Sequence, residues 1–574
     1  MRTLRRFFSS APPTLHVQDS LTSLAVSLPR PHRPPAITWY ACGPTVYDVA
    51  HVGHARTYVT LDFLRRATAS LTGRSVEFAL GVTDIDDKIC ARAVAGGETP
   101  HTVARRFEAA FLAELAQLGC APPTALTRVS EHIPEVLAYI SRLLGNGSAY
   151  VVAAARGGGG GASVYLSVPA LGGAYGKLAP AAVRACAGAA GGADEGAEAA
   201  ARGKRDPRDF ALWKGVDGGE LGGTAAALAG GWAWDSPWGL GRPGWHIECS
   251  AMTRALFGGA LDVHAGGADL RFPHHCNELA QADAWEGPAA VAGGYAWVGA
   301  WLHTGHVRVA GLKMSKSLKN FTPVAEVLAP GGEAEGAVRA AGLRGRGAVG
   351  DAFRMWCLAH HYSAALSYAP ARLGDAAVTG RRMDAFLEAA MAPLSAGAGM
   401  KKWTPAERAL ADAWGAAAEG WDAALRDDFD TPRALRVAGD AAAAGAAYLR
   451  GGGAHAGLLA SVAGGLASRL ESLGVRFAAR RRSALDGWCG DEIEAAREGR
   501  EPPQQLQQQP SAELVALVQQ REAMRSLAVG VKATAPQVAA SLLAQCDAIR
   551  DKVLPGLGWT LKDAGPQGPT LLPR

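Results

Sequence analysis

Between Ile37 and Cys42 the chain reads Ile-Thr-Trp-Tyr-Ala-Cys, a β-branched and aromatic run that predicts a strand. Gly43-Pro44 is a turn signal. From Ala55 to Thr72 apolar residues recur at Tyr58, Leu61, Leu64 and Leu71, close to helical spacing, and Gly73 ends the pattern. Ser75 to Asp84 returns to a strand pattern. Strand, glycine-containing turn, helix and strand make the first βαβ unit of a doubly wound sheet. Ligands of such sheets lie beyond the carboxyl ends of the strands, which here means Cys42 to His54. Residues 101–147 read as helical, with Pro273 as a second helix opening further on. The stretch 150–240 is broken by Gly157–Gly161 and by loose tracts at 187–203 and 215–231, the pattern of an insertion with low-complexity loops. Dense patterning resumes at Trp245, residues 331–350 read as a loop, and residues 353–480 read as helices only. A Gln/Pro linker, Glu501–Pro510, precedes a last helical piece, and no fixed-period repeat is present.

Composition narrows the class. The 574 residues, 48% hydrophobic with a mean hydropathy of +0.02, suit a soluble globular chain of several domains and exclude wholesale disorder. No apolar run is long enough to predict a membrane helix. Nine scattered cysteines do not make a disulfide framework. The net charge of +5 permits a nucleic-acid partner without demanding one. The opening MRTLRRFFSSAPPTLHVQ carries Arg2, Arg5 and Arg6, with no acidic residue before Asp19, as organelle transit peptides do. A short basic tail is the alternative. The expectation is a mitochondrial or plastid protein whose first 20 residues are removed.

Three groups of residues carry chemistry. His51-Val-Gly-His54 puts two imidazoles around a glycine at a strand-to-helix turn, where helix N–H groups attract phosphate and imidazoles can donate to charge developing at phosphorus. Taken alone, such histidines are more often surface or cap residues. Lys313-Met-Ser-Lys-Ser317 offers two lysines that could close on a triphosphate, against the plainer reading of a solvated basic loop. Cys42, Cys249, His274 and Glu278 could hold Zn²⁺, since His274 and Glu278 are four apart and share a helix face if Pro273 opens the helix. Cysteines buried in a core are the alternative.

The order HxGH then KMSKS resembles the signature of class I aminoacyl-tRNA synthetases. Tyr40–Asp48 (YACGPTVYD), Val82–Lys88 (VTDIDDK), Gly244–Met252 (GWHIECSAM), Phe272-Pro-His-His and the lysine loop further resemble the cysteinyl-tRNA synthetase family, over about residues 37–480 plus Asp547–Asp551. The resemblance implies an α/β fold: a doubly wound Rossmann-type nucleotide-binding domain with an inserted domain, followed by α-helical C-terminal domains. It implies one Zn²⁺ on Cys42, Cys249, His274 and Glu278, a cysteine pocket of Gly43, Thr83, Trp245 and Asp269, and ATP (with Mg²⁺) contacted by His51, His54 and Lys316. Catalysis would fall to His51, His54, Lys313 and Lys316, and the partners would be L-cysteine, ATP and tRNA-Cys, with no membrane. The sequence sets no oligomeric state. The implied layout is 1–20 transit peptide, 21–150 first half of the catalytic domain, 151–243 inserted region, 244–325 second half with the lysine loop, 326–390 connecting domain, 391–485 helical tRNA-binding domain, and 486–574 linker and tail. Asp428–Leu435 (DFDTPRAL) falls in the helical region.

Three departures from the family pattern stand out. Cys276 stands between the implied ligands where glutamate is usual, adding a competing thiol. Ser363 follows His361-Tyr362 where arginine is usual, and the carboxyl end differs. The implied chemistry is physically apt. Rejecting serine ~10⁴-fold against cysteine requires about 5.5 kcal/mol, more than an apolar pocket supplies. A soft zinc ion prefers sulfur. The rivals are a cysteine ligase of the same fold acting on an amino-sugar, and a non-catalytic RNA-binding scaffold. The intact histidines and lysines weigh against the second, and the tail beyond residue 485 against the first.

Overall fold

The computed structural model describes residues 14–28, 36–153, 160–186, 203–217, 224–309, 311–314, 320–345, 347–395 and 403–478, with 540, 543–544, 546–547, 550, 559–565 and 568–573 beyond them. The chain divides into two compact units, Met1–Ile493 and Glu494–Arg574.

The first unit is built on a five-stranded parallel sheet: β1 (Ile37–Thr45), β2 (Val76–Thr83), β3 (Ala125–Arg128), β4 (Leu261–Gly267) and β5 (Val298–Thr304). Its order is β5-β4-β1-β2-β3, with every neighbouring pair parallel. The order reverses beside β1, so the crevice beyond its carboxyl end is the natural ligand site of a doubly wound sheet. Helix α1 (Val52–Thr72) follows β1 and ends at Gly73 in the left-handed region, as expected from a glycine just past the last apolar residue. Between the halves of this domain lies a four-stranded antiparallel sheet of Ala149–Val152, Ser163–Leu166, Phe210–Gly215 and Gly241–Pro243. The second half resumes with α2 (Trp245–Phe257), β4 and α3 (Cys276–Glu286).

Downstream lie α4 (Ala348–Leu358) and a helical bundle of α5 (Pro370–Ser395), α6 (Pro405–Arg426), α7 (Thr431–Arg450) and α8 (Ala456–Ser472). Their small apolar faces join the main core with Leu64, Phe353, Trp356 and Phe386. Helix α6 starts with a capping box in which Thr404 and Glu407 satisfy each other's backbone N–H groups. A buried ion cluster ties α1 to this half: Asp62 pairs with Arg65, Arg66 and Arg354 at 2.8–2.9 Å, and Arg354 also donates to the Leu473 carbonyl. The second unit contains an antiparallel hairpin, Trp559–Gly565 with Gly568–Pro573. Among the described residues no helix is long and apolar enough to cross a membrane.

Several local expectations need correction. Residues 101–147 are not all helix, because β3 sits between helices Pro100–Gln117 and Ile133–Gly145, four residues too short to show a period but flanked by Pro122-Pro123. Helix Glu333–Ala340 forms inside the stretch read as a loop, and a two-residue strand, Leu366–Ser367, interrupts the helices-only region. Pro273 does not open α3, which begins at Cys276 after a looser turn over Arg271–His275. A strand at Leu15–Gln18 lies inside the segment read as a leader. Leu15 and Val17 are fully buried, and Asp19 accepts from the Trp301 N–H of β5 at 2.9 Å, so residues 15–19 belong to the fold.

Candidate active site and metal centre

Four side chains from three separate stretches meet beyond the carboxyl end of β1. Cys42 ends the regular part of that strand, Cys249 lies one turn into α2, and His274 and Glu278 flank the start of α3. The Cys42 and Cys249 sulfurs are 3.6 Å apart, Cys42 lies 3.6 Å from Glu278 Oε1, and His274 Nε2 lies 3.2 Å from the same oxygen. All four donor atoms lie within 4.8 Å of one another, and all four residues are buried. Two sulfurs on one zinc, each at about 2.3 Å, would stand about 3.8 Å apart, so the spacing fits both sulfurs on one ion. The donor chemistry fits as well: two thiols, an imidazole and a carboxylate with no lysine or arginine among them. The Cys42 S–H donates to Cys249 and holds the Cys249 thiol down at about 6, while burial pushes the Cys42 thiol well above its ordinary range.

Histidines surround this set. His246 Nδ1 lies 3.1 Å from His274 Nδ1, leaving His274 Nε2 to face the cluster. His264 Nε2 lies 3.1 Å from Glu278 Oε2, and His275 pairs with His303 at 2.9 Å. Burial holds His246 and His275 well below the ordinary imidazole range and His303 at about 3, so these rings stay neutral. His264 and His275 also complete an alternative set with Cys42 and Glu278. The first set carries both sulfurs, which a soft ion favours. None of the four supporting histidines had been assigned a role. For His264 and His303 the signal available was a histidine within a largely apolar strand, whereas His246, in α2, and His275, in the turn before α3, carried no such signal.

The implied cysteine pocket falls around the same cluster. Gly43 is required by packing: a Cβ there would sit 1.9 Å from the Gly81 carbonyl oxygen of β2. Thr83, at the end of β2, donates its hydroxyl to Glu248 at 2.7 Å. Burial raises the Glu248 carboxyl well above the usual carboxylate range. Trp245 stacks on His274, with ring centroids 4.5 Å apart. Asp269 is exposed in the turn after β4. Cys276 does not compete for the cluster. One residue past His275, it is rotated away from the His274/Glu278 face, and its thiol lies against the backbone N–H groups of Gly176, Leu178 and Ala179 in the inserted region.

The second half of the site lies at the start of α1. His51 is the N-cap: its Nδ1 accepts from the His54 N–H, and His54 Nδ1 accepts from the His51 N–H, both at 3.3 Å. The rings stack with centroids 3.8 Å apart. The intervening Gly53 permits this, since a Cβ would stand 2.8 Å from the His51 ring. Lys313 ends a hairpin of Val307–Val309 with Leu312–Lys313, and Met314 N–H donates to the Val307 carbonyl. Lys316 lies outside the described residues, as do Arg480, Arg481 and Arg482. From Thr322 the chain returns to the histidines: Val52 N–H donates to Thr322 and Val324 N–H to Ala50. The chain just past the lysine loop is therefore anchored beside the helix cap, and the chain before it is held by its own hairpin.

Comparison with known proteins adds the family. Residues 29–336 match the tRNA synthetases class I (C) catalytic domain. The chain is 34% identical over 537 residues to a cytoplasmic cysteine--tRNA ligase of Dictyostelium discoideum, covering 92% of this chain and 73% of that one. It is 36% identical to a cysteine--tRNA ligase of Anaeromyxobacter dehalogenans over 97% and 99% of the two chains. It is 38% identical to a probable mitochondrial cysteine--tRNA ligase of Xenopus tropicalis over 70% of this chain and 61% of that one. In fold it is similar to Mycobacterium tuberculosis methionyl-tRNA synthetase in complex with methionyl-adenylate, with a TM-score of 0.53 at 15% identity over 83% and 99% of the chains. With its Rossmann-type sheet and this catalytic domain, the chain belongs to the cysteine–tRNA ligase family of class I synthetases.

Proposed function

We propose that this enzyme activates L-cysteine with ATP and transfers the cysteinyl group to tRNA-Cys. The cysteine carboxylate attacks the α-phosphorus of ATP, pyrophosphate leaves, and a hydroxyl of the terminal ribose of the tRNA then displaces AMP from the acyl carbon. The observation that carries this reading is the meeting of Cys42, Cys249, His274 and Glu278 beside the capped histidines of α1.

Cys42, Cys249, His274 and Glu278 would hold one zinc ion. Bound there, it would supply a soft site for the substrate's sulfur, a contact that serine's hydroxyl matches poorly. The chain's own residues do the rest. Gly43, Thr83 and Trp245 shape the pocket, and Asp269 holds the α-ammonium group. His51 and His54, set on a helix N-terminus that already attracts phosphate, stabilise charge at the α-phosphate. Lys313 and Lys316 neutralise the departing pyrophosphate, with Mg²⁺ entering on the ATP. Such transfer is mostly positioning and electrostatics.

The helical bundle and the tail give the tRNA its contacts away from the acceptor end. The basic, acid-poor start of the chain supports import into a mitochondrion or plastid, with the leader removed ahead of Leu15. A fusion of residues 1–14 to a fluorescent protein tests that. Cysteine-dependent ATP–pyrophosphate exchange followed by charging of tRNA-Cys tests the activity. Exchange without charging would point to another acceptor, and neither would leave a non-catalytic scaffold. Truncation after Ile493 should leave exchange largely intact and lower charging steeply. Normal charging by the truncated chain would remove the tail from tRNA recognition.

A further inference from the structure

The turn between α6 and α7 is strained in an unusual way. Asp428 and Phe429 are consecutive non-glycine residues in the left-handed region, with φ of 50° and 54°, which L residues rarely occupy in succession. Strain of this kind persists only where the surroundings over-determine it. Here they do. Asp428 Oδ1 accepts from the Tyr362 hydroxyl at 2.9 Å and from the Gln18 N–H at 2.8 Å. His361 Nε2 lies 2.9 Å from the Asp428 carbonyl oxygen and 3.3 Å from Oδ2. Asp428 N–H donates to the His16 carbonyl, and the buried Phe429 ring meets Tyr362 edge-on.

What Asp428 holds is the support of the lysine hairpin. The Tyr362 carbonyl accepts from the Gly305 N–H just past β5, and Arg56, one turn into α1, donates to the His361 and Tyr362 carbonyls. Past this loop, Leu366–Ser367 pairs in parallel with Val307–Arg308, the first strand of the hairpin that ends at Lys313. Leu366 N–H donates to His306 and Tyr368 N–H to Arg308, fastening both ends of that pairing. A contact chain of side chains and strand pairing thus runs from the bundle turn to the backbone of Lys313.

We propose that Asp428 is a positioning residue for the lysine hairpin: it fixes the His361–Tyr362 loop, and through it the strand on which the hairpin lies. The proposal rests on the role given above to Lys313 and Lys316. Asp428→Gly is the decisive variant, because glycine takes a positive φ at no steric cost and the change removes the carboxylate without adding strain to the turn. In the full-length protein its kcat for cysteine-dependent pyrophosphate exchange, counted per active site, should fall about 10-fold to 100-fold, the scale of displacing a catalytic group by an ångström. The KM for cysteine should stay within about twofold, since the metal pocket is not on this path. Asp428→Asn keeps the Oδ1 acceptor and should recover most of the rate. A purely structural role would lower the melting temperature and the active fraction and leave kcat per active site unchanged, and that result would overturn the proposal. Should Asp428→Gly fail to fold, Tyr362→Phe removes a single hydroxyl. A fall of about threefold or more in kcat sustains the proposal, and an unchanged kcat ends it. If the unaltered chain shows no cysteine-dependent exchange, the assigned activity itself falls. If it does, and Lys316→Ala is slow while Asp428→Gly is not, only the positioning role is lost.

Discussion

The two halves of the site are built differently. In the candidate metal cluster all four residues are buried, between 0% and 4% exposed, with His246 against His274 and His264 against Glu278. On the phosphate side His51 and His54 are half-buried at a helix cap, and the neighbouring hairpin exposes Leu312 at 60%. The role proposed for the cluster, telling sulfur from oxygen, gains from rigidity, because each donor must already be in place when the substrate arrives. A site that admits ATP and releases pyrophosphate needs an open edge instead. Helix α1 and strand β1 serve both, one end of each facing the common crevice.

The sharpest test of this contrast is Cys249→Ala. Metal content and cysteine activation should vanish together, with kcat/KM for cysteine falling by more than about 10³-fold, a loss above ~4 kcal/mol. Full metal occupancy measured on each of the four single ligand variants would remove the metal centre from the description. Lys316→Ala comes next. It should lower kcat for adenylate formation ~10²–10³-fold, about 2.7–4 kcal/mol, with little change in cysteine affinity. A normal kcat would reduce the lysines to a solvated basic patch. A smaller effect is expected from His246→Phe, which removes the partner of His274 Nδ1 and keeps a ring in the same space. Chelator competition should report metal affinity weaker by about 10–100-fold, whereas unchanged affinity would mean that packing alone orients His274.

The smallest effect belongs to neither half and serves as their control. Glu407 accepts from the Thr404 N–H and hydroxyl and from the Tyr448 hydroxyl, and these bonds, Thr404's first, hold its carboxyl down at about 2. A depressed folded value means that its contribution is complete above the unfolded value of about 4.5 and is lost as pH falls through 2. Glu407→Gln should cost about 1 kcal/mol at pH 7, the difference between hydrogen bonds to a charged and to a neutral acceptor, read as a lower melting temperature that converges with the unaltered protein between pH 4.5 and pH 2. Cysteine-dependent exchange should not change. A gap that widened on acidification would contradict the assignment of this carboxylate.

Much of the architecture was legible because its signals are local. The β-branched and aromatic run from Ile37 to Cys42, the helical spacing through Leu71 and the stop at Gly73 each depend on residues within a few positions of one another. β1, α1 and β2 lie where those patterns put them. β3 escaped notice because four residues carry no measurable period. Leu15 to Gln18 escaped because a basic leader and a short strand differ only in what covers them, and their cover comes from the main core. For the same reason composition could not say that Cys276 turns to the inserted region while Cys249, equally buried, turns to the cluster.

The sequence by itself determined the residue types of the site and the elements that carry them: two thiols, an imidazole and a carboxylate, a histidine pair at a helix start, and a lysine loop. Those follow from side-chain chemistry and short-range periodicity. Only the tertiary structure decided that four donors separated by up to 236 positions lie within 4.8 Å, that four unassigned histidines enclose them, and that a strained bundle turn braces the lysine hairpin. Such contacts arise when strands pair and helices pack across the whole chain, and no local pattern encodes which distant residues that packing brings together.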